Sequence, residues 1–256
     1  MWDPGQYLRY AGERARPFFD LLTRVQAEDP ASVVDLGCGP GNLTATLADR
    51  WAGADVLGVD NSPEMVEAAQ SQERGRARLR FELGDIRGWR PIAPVDVLVS
   101  NAVLQWVPEH TEVVRCWPGM LAPGGWLAFQ VPGNFDQPSH EILADLLRSP
   151  RWRARLAGVG LNRQAKSPAE YLDLLASAGC DVDAWETTYL HVLSGPDPVT
   201  QWYKGTGLRP VLAALDPEEG REFLAAYAER ARAAYPASPY GTVFPFRRVF
   251  VVARRR

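Results

Sequence analysis

Residues 32–42 read SVVDLGCGPGN, and this stretch decides how the rest of the chain is interpreted. A short apolar run ends in an acid and a leucine, and glycines then follow at alternate positions, Gly37, Gly39 and Gly41. An apolar strand that runs into a glycine-rich turn lets the backbone approach a ligand closely. Three ligands are candidates at this point: a dinucleotide, a phosphate group and S-adenosylmethionine.

The glycine spacing weakens two of these candidates. Dinucleotide-binding turns carry G-x-G-x-x-G, whereas this turn carries G-x-G-x-G. A phosphate-binding loop needs Gly-Lys-Ser/Thr, and the chain has Asn42 and Leu43 instead. A tight strand-to-helix turn without any ligand stays an alternative.

Composition places limits on the partners. The chain has 256 residues, of which 46% are apolar and 23% charged, and a formal net charge of -3. These values are typical of a folded globular protein and give no electrostatic reason to expect nucleic acid. We see no signal peptide and no apolar run long enough to span a membrane. Three scattered cysteines and three scattered histidines predict a cytoplasmic protein without a metal site, and no obligate protein partner is evident.

Five short apolar segments alternate with helical patterns over the first half of the chain. Such alternation predicts a parallel sheet that helices cover on both faces. Two later segments, residues 181–193 and 246–255, also have strand character, although their direction cannot be read. The five earlier strands are expected at residues 32–36, 55–60, 78–85, 94–101 and 124–132.

Helix boundaries follow from capping residues. We expect one helix to start at Asp3-Pro4 and a second at Pro17, while Ser62-Pro63 and Ser167-Pro168 open two more. Residues 140–158 also read as helix and are expected to form part of a cap above the sheet.

Polar residues follow consecutive strands of the predicted sheet. Asp60 ends the second strand, Asp85 and Ile86 follow the third, and Asn101 ends the fourth. The carboxyl ends of parallel strands form the edge where open α/β sheets bind ligands. Asp60 could accept hydrogen bonds from ribose hydroxyls, and Asp85 could accept one from an adenine amino group while Ile86 packs on the ring. Singly, such residues are usually solvated or part of a turn; together they favour a nucleoside ligand.

These motifs resemble the class I S-adenosylmethionine-dependent methyltransferases over residues 30–131. The resemblance implies a Rossmann-like fold, with a mostly parallel seven-stranded sheet, helices on both faces and a small helical cap. It implies S-adenosylmethionine as cofactor and S-adenosylhomocysteine as product. Asp35 would orient the amino end of the cofactor, and Cys38 would fill the turn as a neutral side chain. The implied cofactor-binding residues are Asp35, Gly37, Cys38, Gly39, Gly41, Asp60, Asn61, Asp85, Ile86 and Asn101.

The whole chain resembles a narrower group, the trans-aconitate methyltransferases. Matching segments run from YLRYAGERARP near the start to FRRVFVVARR near the end, through NAVLQWVPEH and GTGLRP. The resemblance implies that one carboxylate of a small tricarboxylate becomes a monomethyl ester; another small acid or a secondary metabolite is the alternative. It also implies a single domain over 1–256: N-terminal cap helices (1–30), a cofactor-binding core (31–132), a lid and helix (133–180), and C-terminal strands with substrate-cap helices (181–256).

A tricarboxylate needs cations and hydroxyl donors, and arginine offers a planar fork for carboxylates. Lys204 is expected to be solvated and the histidines are expected to be structural; for Trp106, a core plug beneath the lid is the alternative. The candidate acceptor residues are Tyr7, Tyr10, Arg14, Trp106, Tyr203, Thr206, Arg209 and Arg248.

No side chain is assigned as a catalytic residue. A carboxylate with a pKa near ~4 is already an anion at neutral pH, so methyl transfer to it needs no general base. Three rivals stay open: a methyltransferase with a neutral hydroxyl or amine acceptor, an NAD-dependent oxidoreductase, and a protein that binds the cofactor without catalysis.

Overall fold

The computed structural model describes residues 11–160 and 165–256, without the side chains of residues 11, 13 and 14. The helix expected at Asp3-Pro4 and the acceptor candidates Tyr7 and Tyr10 lie outside the described residues. The side chain of Arg14 is likewise not described.

Strands in the order β3-β2-β1-β4-β5-β8-β6 form one sheet, and a two-residue strand, β7, pairs with β8 outside this path. The first five strands run parallel, while β8 is antiparallel to both β5 and β6. This confirms the expected mixed sheet and its seven-stranded path. The strands are β1 Ser32–Leu36, β2 Asp55–Asp60, β3 Leu79–Leu83, β4 Val95–Asn101, β5 Leu121–Pro132, β6 Cys180–Leu193, β7 Ala237–Ser238 and β8 Gly241–Arg255.

Nine α-helices occur within the described ranges 11–160 and 165–256. They are α1 Ala11–Leu22, α2 Asn42–Arg50, α3 Pro63–Gln70, α4 His110–Cys116, α5 Pro138–Arg148, α6 Pro168–Ala176, α7 Pro198–Lys204, α8 Arg209–Ala214 and α9 Pro217–Ala234. Short 3-10 turns lie at Ser71–Glu73, Leu104–Trp106 and Trp117–Met120. None of the described helices is both long and apolar enough to cross a membrane.

Two helix boundaries differ from the prediction. Pro17 lies inside α1 and does not begin a helix, although the expected apolar stripe of Phe18 and Leu21 is fully buried. α5 ends at Arg148, and turns follow it, because Pro150 disfavours helical geometry at the residue before it; Ser149 has an extended ψ of 151°.

The predicted capping residues occupy the expected positions. Ser62 Oγ accepts a hydrogen bond from the Met65 N–H at the start of α3. Ser167 and Glu170 form a reciprocal capping box at the start of α6, which satisfies two backbone donors.

Apolar residues from both faces of the sheet form two clusters, and a third cluster lies in the cap. Leu36 and Leu98 lie in the first cluster, and Val33 and Val97 in the second, as the alternation of side chains along a strand requires. The third cluster joins α5 and α7–α9 to the cap-side ends of β6 and β8. The cap therefore packs directly on strands of the sheet.

Candidate functional site

The glycine turn after β1 is held against the end of β2. Backbone N–H groups of Gly37 and Cys38 donate to the carbonyl oxygen of Val59 at 2.7 and 3.0 Å. Gly37 has a φ of 80°, and a Cβ atom there would lie 2.1 Å from a methyl group of Val103. A side chain at Gly37 is therefore excluded by both conformation and space.

Gly39 and Gly41 have different surroundings within the same turn. A Cβ at Gly41 would lie 2.6 Å from the ring of Phe81, whereas a Cβ at Gly39 would meet no atom within 4 Å. Gly39 lines a cavity and Gly41 does not. Gly41 therefore shapes the turn, and the bare backbone of Gly39 borders the space where a ligand would lie.

Asp60, at the end of β2, accepts two backbone hydrogen bonds. Its Oδ2 accepts from the Gly39 N–H at 2.9 Å, and its Oδ1 accepts from the Ser62 N–H at 3.0 Å. A carboxylate offers about four lone-pair positions, so one on each oxygen remains for a further donor. Asp60 and Asn61 both line the cavity.

Asp35 is a buried carboxyl group in the cavity wall. Its Oδ2 accepts a hydrogen bond of 2.6 Å from Thr44 Oγ1, while its Oδ1 is buried without a hydrogen-bond partner within the described part of the chain. Burial raises the pKa of Asp35 to about 7, and the Asp60 carboxylate adds to this effect. The orphaned Oδ1 fits a cationic donor that enters from the cavity.

Asp85 follows β3 and is fixed by its neighbour Arg87. The guanidinium of Arg87 contacts both carboxylate oxygens, with Nε 3.0 Å from Oδ1, and this pairing holds the pKa of Asp85 below its usual range. Both residues line the cavity, together with the buried Ile86. Arg87 was not among the residues predicted for the site, although its i+2 spacing from Asp85 permits the contact.

A chain of polar groups joins β4, β5 and β8. Gln130 donates from Nε2 to Asn101 Oδ1 at 2.5 Å, and its Oε1 accepts from Arg248 Nη1 at 3.0 Å. The Arg248 guanidinium lies 4.7 Å from the ring centre of Phe246, and the residue is only 4% exposed. The Gln130 amide thus fixes the orientation of one predicted cofactor contact and one predicted acceptor contact.

One cavity of about 980 Å³ collects these groups, at the upper end of the size range of small-molecule sites. Its walls come from the carboxyl ends of β1–β4 and from α7, α8 and β8. The predicted residues that line it are Asp35, Gly37, Cys38, Gly39, Asp60, Asn61, Asp85, Ile86, Asn101, Trp106, Thr206, Arg209 and Arg248.

Tyr203 differs from its predicted role as an acceptor contact. It is 2% exposed and does not line the cavity. Its hydroxyl lies 2.8 Å from Ser139 Oγ and 2.8 Å from His140 Nδ1, so the phenol ring is turned into the core of the cap. Burial of this hydroxyl keeps the pKa of Tyr203 well above its usual range.

Two other side chains, Trp106 and Lys204, also line the cavity. Trp106 is 44% exposed, which argues against the alternative that it plugs the core. Lys204 was expected to be solvated, yet it is partly buried and lines the cavity.

The positions and contacts of the histidines and of Cys38 do not support a role in acid–base or nucleophilic chemistry. His110 Nε2 lies 3.0 Å from the Tyr171 hydroxyl, and His191 stacks on Trp202 with ring centres 5.1 Å apart. None of the three histidines lines the cavity. Burial raises the pKa of the Cys38 thiol far above neutrality, which keeps it protonated. Within the described ranges, no group of three or more His, Cys, Asp or Glu residues could hold a metal ion.

Comparison with known proteins gives the family. A profile described as "Methyltransferase domain" matches residues 33–125. A protein named trans-aconitate 2-methyltransferase from Streptomyces avermitilis is 54% identical, over 99% of this chain and 97% of its own. The chain belongs to the trans-aconitate 2-methyltransferase family. A family member from Streptomyces coelicolor is 55% identical over 99% of this chain and 86% of its own.

The solved structures agree with the fold of this family. The YcgJ protein from Bacillus subtilis superposes with a TM-score of 0.60, covering 94% of this chain and 98% of its own, at 16% identity. At that identity the likeness concerns the fold alone. The methyltransferase family and the Rossmann-like sheet that the resemblance of residues 30–131 implied are thus confirmed together, and the protein is an enzyme of the methyltransferase class.

Proposed function

We propose that this protein transfers a methyl group from S-adenosylmethionine to one carboxylate of trans-aconitate and forms the monomethyl ester. Its relatives carry the name of this activity. The observation that carries the proposal is the charge distribution in one cavity. Carboxyl groups lie at or just after the ends of β1–β3, and further cations come from the cap and β8: Asp35, Asp60 and Asp85, the last paired with Arg87, on one side, and Lys204, Arg209 and Arg248 on the other.

The residues on β1–β3 fit the cofactor. When bound, S-adenosylmethionine supplies a methyl group activated by a sulfonium. The orphaned Oδ1 of Asp35 would accept a hydrogen bond from its ammonium group, and the unused lone pairs of Asp60 would accept from the ribose hydroxyls. The open space at Gly39 leaves room for the backbone to meet the ligand, while Ile86 would pack on the adenine.

The residues on α7, α8 and β8 fit the acceptor. A carboxylate arrives ionised, so the protein needs to position one oxygen roughly 3 Å from the methyl carbon and need not remove a proton. The arginines would bind the carboxylates that do not react, because a clamp on the reacting oxygen would reduce its nucleophilicity. Arg248 is already fixed by Gln130 for this purpose.

A labelling experiment tests this function. Purified protein is incubated with S-adenosylmethionine labelled in the methyl group and with a panel of mono-, di- and tricarboxylic acids. We expect label on trans-aconitate that is released by mild base, as a methyl ester requires. Label on a different acid would show that the acceptor is not trans-aconitate, while carboxyl methylation would still be the reaction. Retention of cofactor without transfer to any acid would overturn the proposed activity.

The sparse, unpaired cysteines lead us to place this reaction in the cytoplasm.

A further inference from the structure

The two lysines of this protein, Lys166 and Lys204, have different surroundings. The chain contains 28 lysine and arginine residues, and only Lys166 and Lys204 are lysines. Lys166 lies 3.4 Å from Glu170 in an exposed ion pair. Lys204 is the last residue of α7, is partly buried and lines the cavity; among the residues that the structure describes, its ammonium group makes no hydrogen bond or ion pair.

The backbone around Lys204 is rigidly held. The carbonyl oxygen of Tyr203 accepts hydrogen bonds from the N–H groups of Thr206 and Leu208, both at 3.0 Å. The Tyr203 hydroxyl is bound to Ser139 and His140 in the core of the cap. These hydrogen bonds fix the end of α7, so the packing of the cap places its last residue, Lys204, in the cavity wall.

The carboxyl groups of the cavity are bound to other groups, and none of them forms an ion pair with Lys204. Asp85 is paired with Arg87, Asp60 accepts two backbone N–H groups, and Asp35 is bound to Thr44. A partly buried ammonium without an anion favours a ligand that carries one. Thr206, two residues further on, adds a hydroxyl group to the same wall.

We propose that Lys204 is a specificity residue that binds a carboxylate of the acceptor other than the one that is methylated. With Arg209 and Arg248 it gives this side of the cavity three cations from three separate elements, α7, α8 and β8, which would bind the two carboxylates of a tricarboxylate that do not react. The inference rests on the proposed function and specifies it: Lys204 distinguishes acids with three carboxylates from acids with two. An ammonium is a compact point charge, so it suits a carboxylate that needs charge but no planar fork.

The first test uses the unaltered protein and needs no turnover. The enzyme, saturated with S-adenosylhomocysteine, is acetylated with an N-hydroxysuccinimide ester, and the rates at Lys204 and Lys166 are followed by peptide mass spectrometry. We expect trans-aconitate to slow acetylation of Lys204 several-fold more than a dicarboxylate does at the same occupancy. Lys166 serves as the internal control and should react at one rate throughout. Equal rates at Lys204 with and without bound acid would overturn the proposal.

The second test uses variants. In Lys204→Met we expect the KM for trans-aconitate to rise about tenfold, the KM for a dicarboxylate to change little, and kcat to stay near its starting value. Lys204→Arg should restore most of the affinity, and Lys166→Met should behave as the parent enzyme. A Lys204→Met enzyme that keeps the parent ratio of tricarboxylate to dicarboxylate KM would contradict the role.

The two proposals fail in different ways. If no acid is methylated, the proposed function is wrong, and protection of Lys204 by polycarboxylates still decides whether it binds them. If trans-aconitate is methylated but neither protects Lys204 nor depends on its charge, the function stands and the specificity role is wrong.

Discussion

The N–H of Gly39 donates a hydrogen bond of 2.9 Å to Oδ2 of Asp60, so the acid at the end of β2 also holds the glycine turn that follows β1. The other carboxylate oxygen holds the N–H of Ser62 at the start of the next helix. One side chain thus fixes the two loops between which a ribose would lie.

Removal of the Asp60 carboxylate should weaken cofactor binding. In Asp60→Ala we expect a loss of about 1–3 kcal/mol of binding free energy, the scale of hydrogen bonds to a charged group. Asp60→Asn keeps one oxygen acceptor and should lose less. Calorimetric titration with S-adenosylhomocysteine measures both. Binding by Asp60→Ala that matches the parent protein would show that the ribose does not contact this residue.

Two glycines in one turn should respond differently to alanine. Gly37→Ala would force a Cβ into Val103 and should lower the thermal midpoint of unfolding by several degrees or prevent folding. Gly39→Ala adds a methyl group to open space beside the cavity, so its main effect should be a raised Kd for the cofactor. Thermal unfolding and ligand titration separate the two effects. A Gly39→Ala protein with unchanged cofactor affinity would contradict the placement of the ligand.

The buried Asp35 should make cofactor binding depend on pH. Its pKa is raised from 3.8 to about 7 in the folded protein, and a bound ammonium would favour the charged carboxylate. Affinity for S-adenosylhomocysteine should therefore increase between pH 5 and 7, by at most tenfold per pH unit, and level off above pH 7. Asp35→Asn should bind more weakly at pH 8 and lose this slope. A parent protein with flat affinity over this range would refute the contact.

Arg248 and Arg209 should determine acceptor affinity. Because Arg248 is buried against Phe246 and bound to Gln130, we choose the conservative variant Arg248→Lys at this position. Arg209→Ala is a second, separate variant. We expect each to raise the KM for trans-aconitate about tenfold while the Kd for the cofactor stays unchanged. If both variants kept the parent KM, the acceptor would lie elsewhere in the cavity.

His191 should make the fold sensitive to acid. Its pKa is lowered from 6.5 to about 4, mainly by burial, with Arg248 and Arg16 adding repulsion. The unfolded chain therefore binds the proton more readily, so stability from the neutral imidazole is fully present above pH 6.5 and is lost as the pH falls toward 4. The contribution of Asp35 to stability changes with pH in the opposite direction between pH 3.8 and 7. The parent and the His191 variant both contain Asp35, so this contribution cancels when the two proteins are compared. His191→Phe should keep the stacking on Trp202 and show a smaller loss of Tm between pH 7 and 5 than the parent.

The sheet and its ligand edge were predictable because strand and turn signals are local. Asp60 and Asp85 could be placed at strand ends from neighbouring residues alone, and the structure brings both to one cavity. The left-handed backbone of Gly37 is a local feature of the turn as well, whereas the crowding at this residue comes from Val103, which is distant in sequence.

The cap was less predictable because its contacts join distant segments. Tyr203 and Lys204 are adjacent in sequence, yet one turns toward Ser139 in the core and the other lines the cavity. Only the packing of α7 against α5 and α9 decides between these directions, and no local pattern encodes it. The interior position of Pro17 in α1 has the same origin, because tertiary burial of Phe18 and Leu21 overrides the local preference of proline for a helix start.

The placement of β8 between β5 and β6 has a consequence for biosynthesis. β6 leaves the ribosome first, then α7–α9, and only afterwards the strand that joins β6 to the rest of the sheet. Until β8 is translated, the nascent β6 has no neighbouring strand for its backbone amides and exposes Tyr189 and Leu193, which are buried in the folded protein. A nascent chain stalled between α9 and β8 is thus the stage at which a chaperone is most needed.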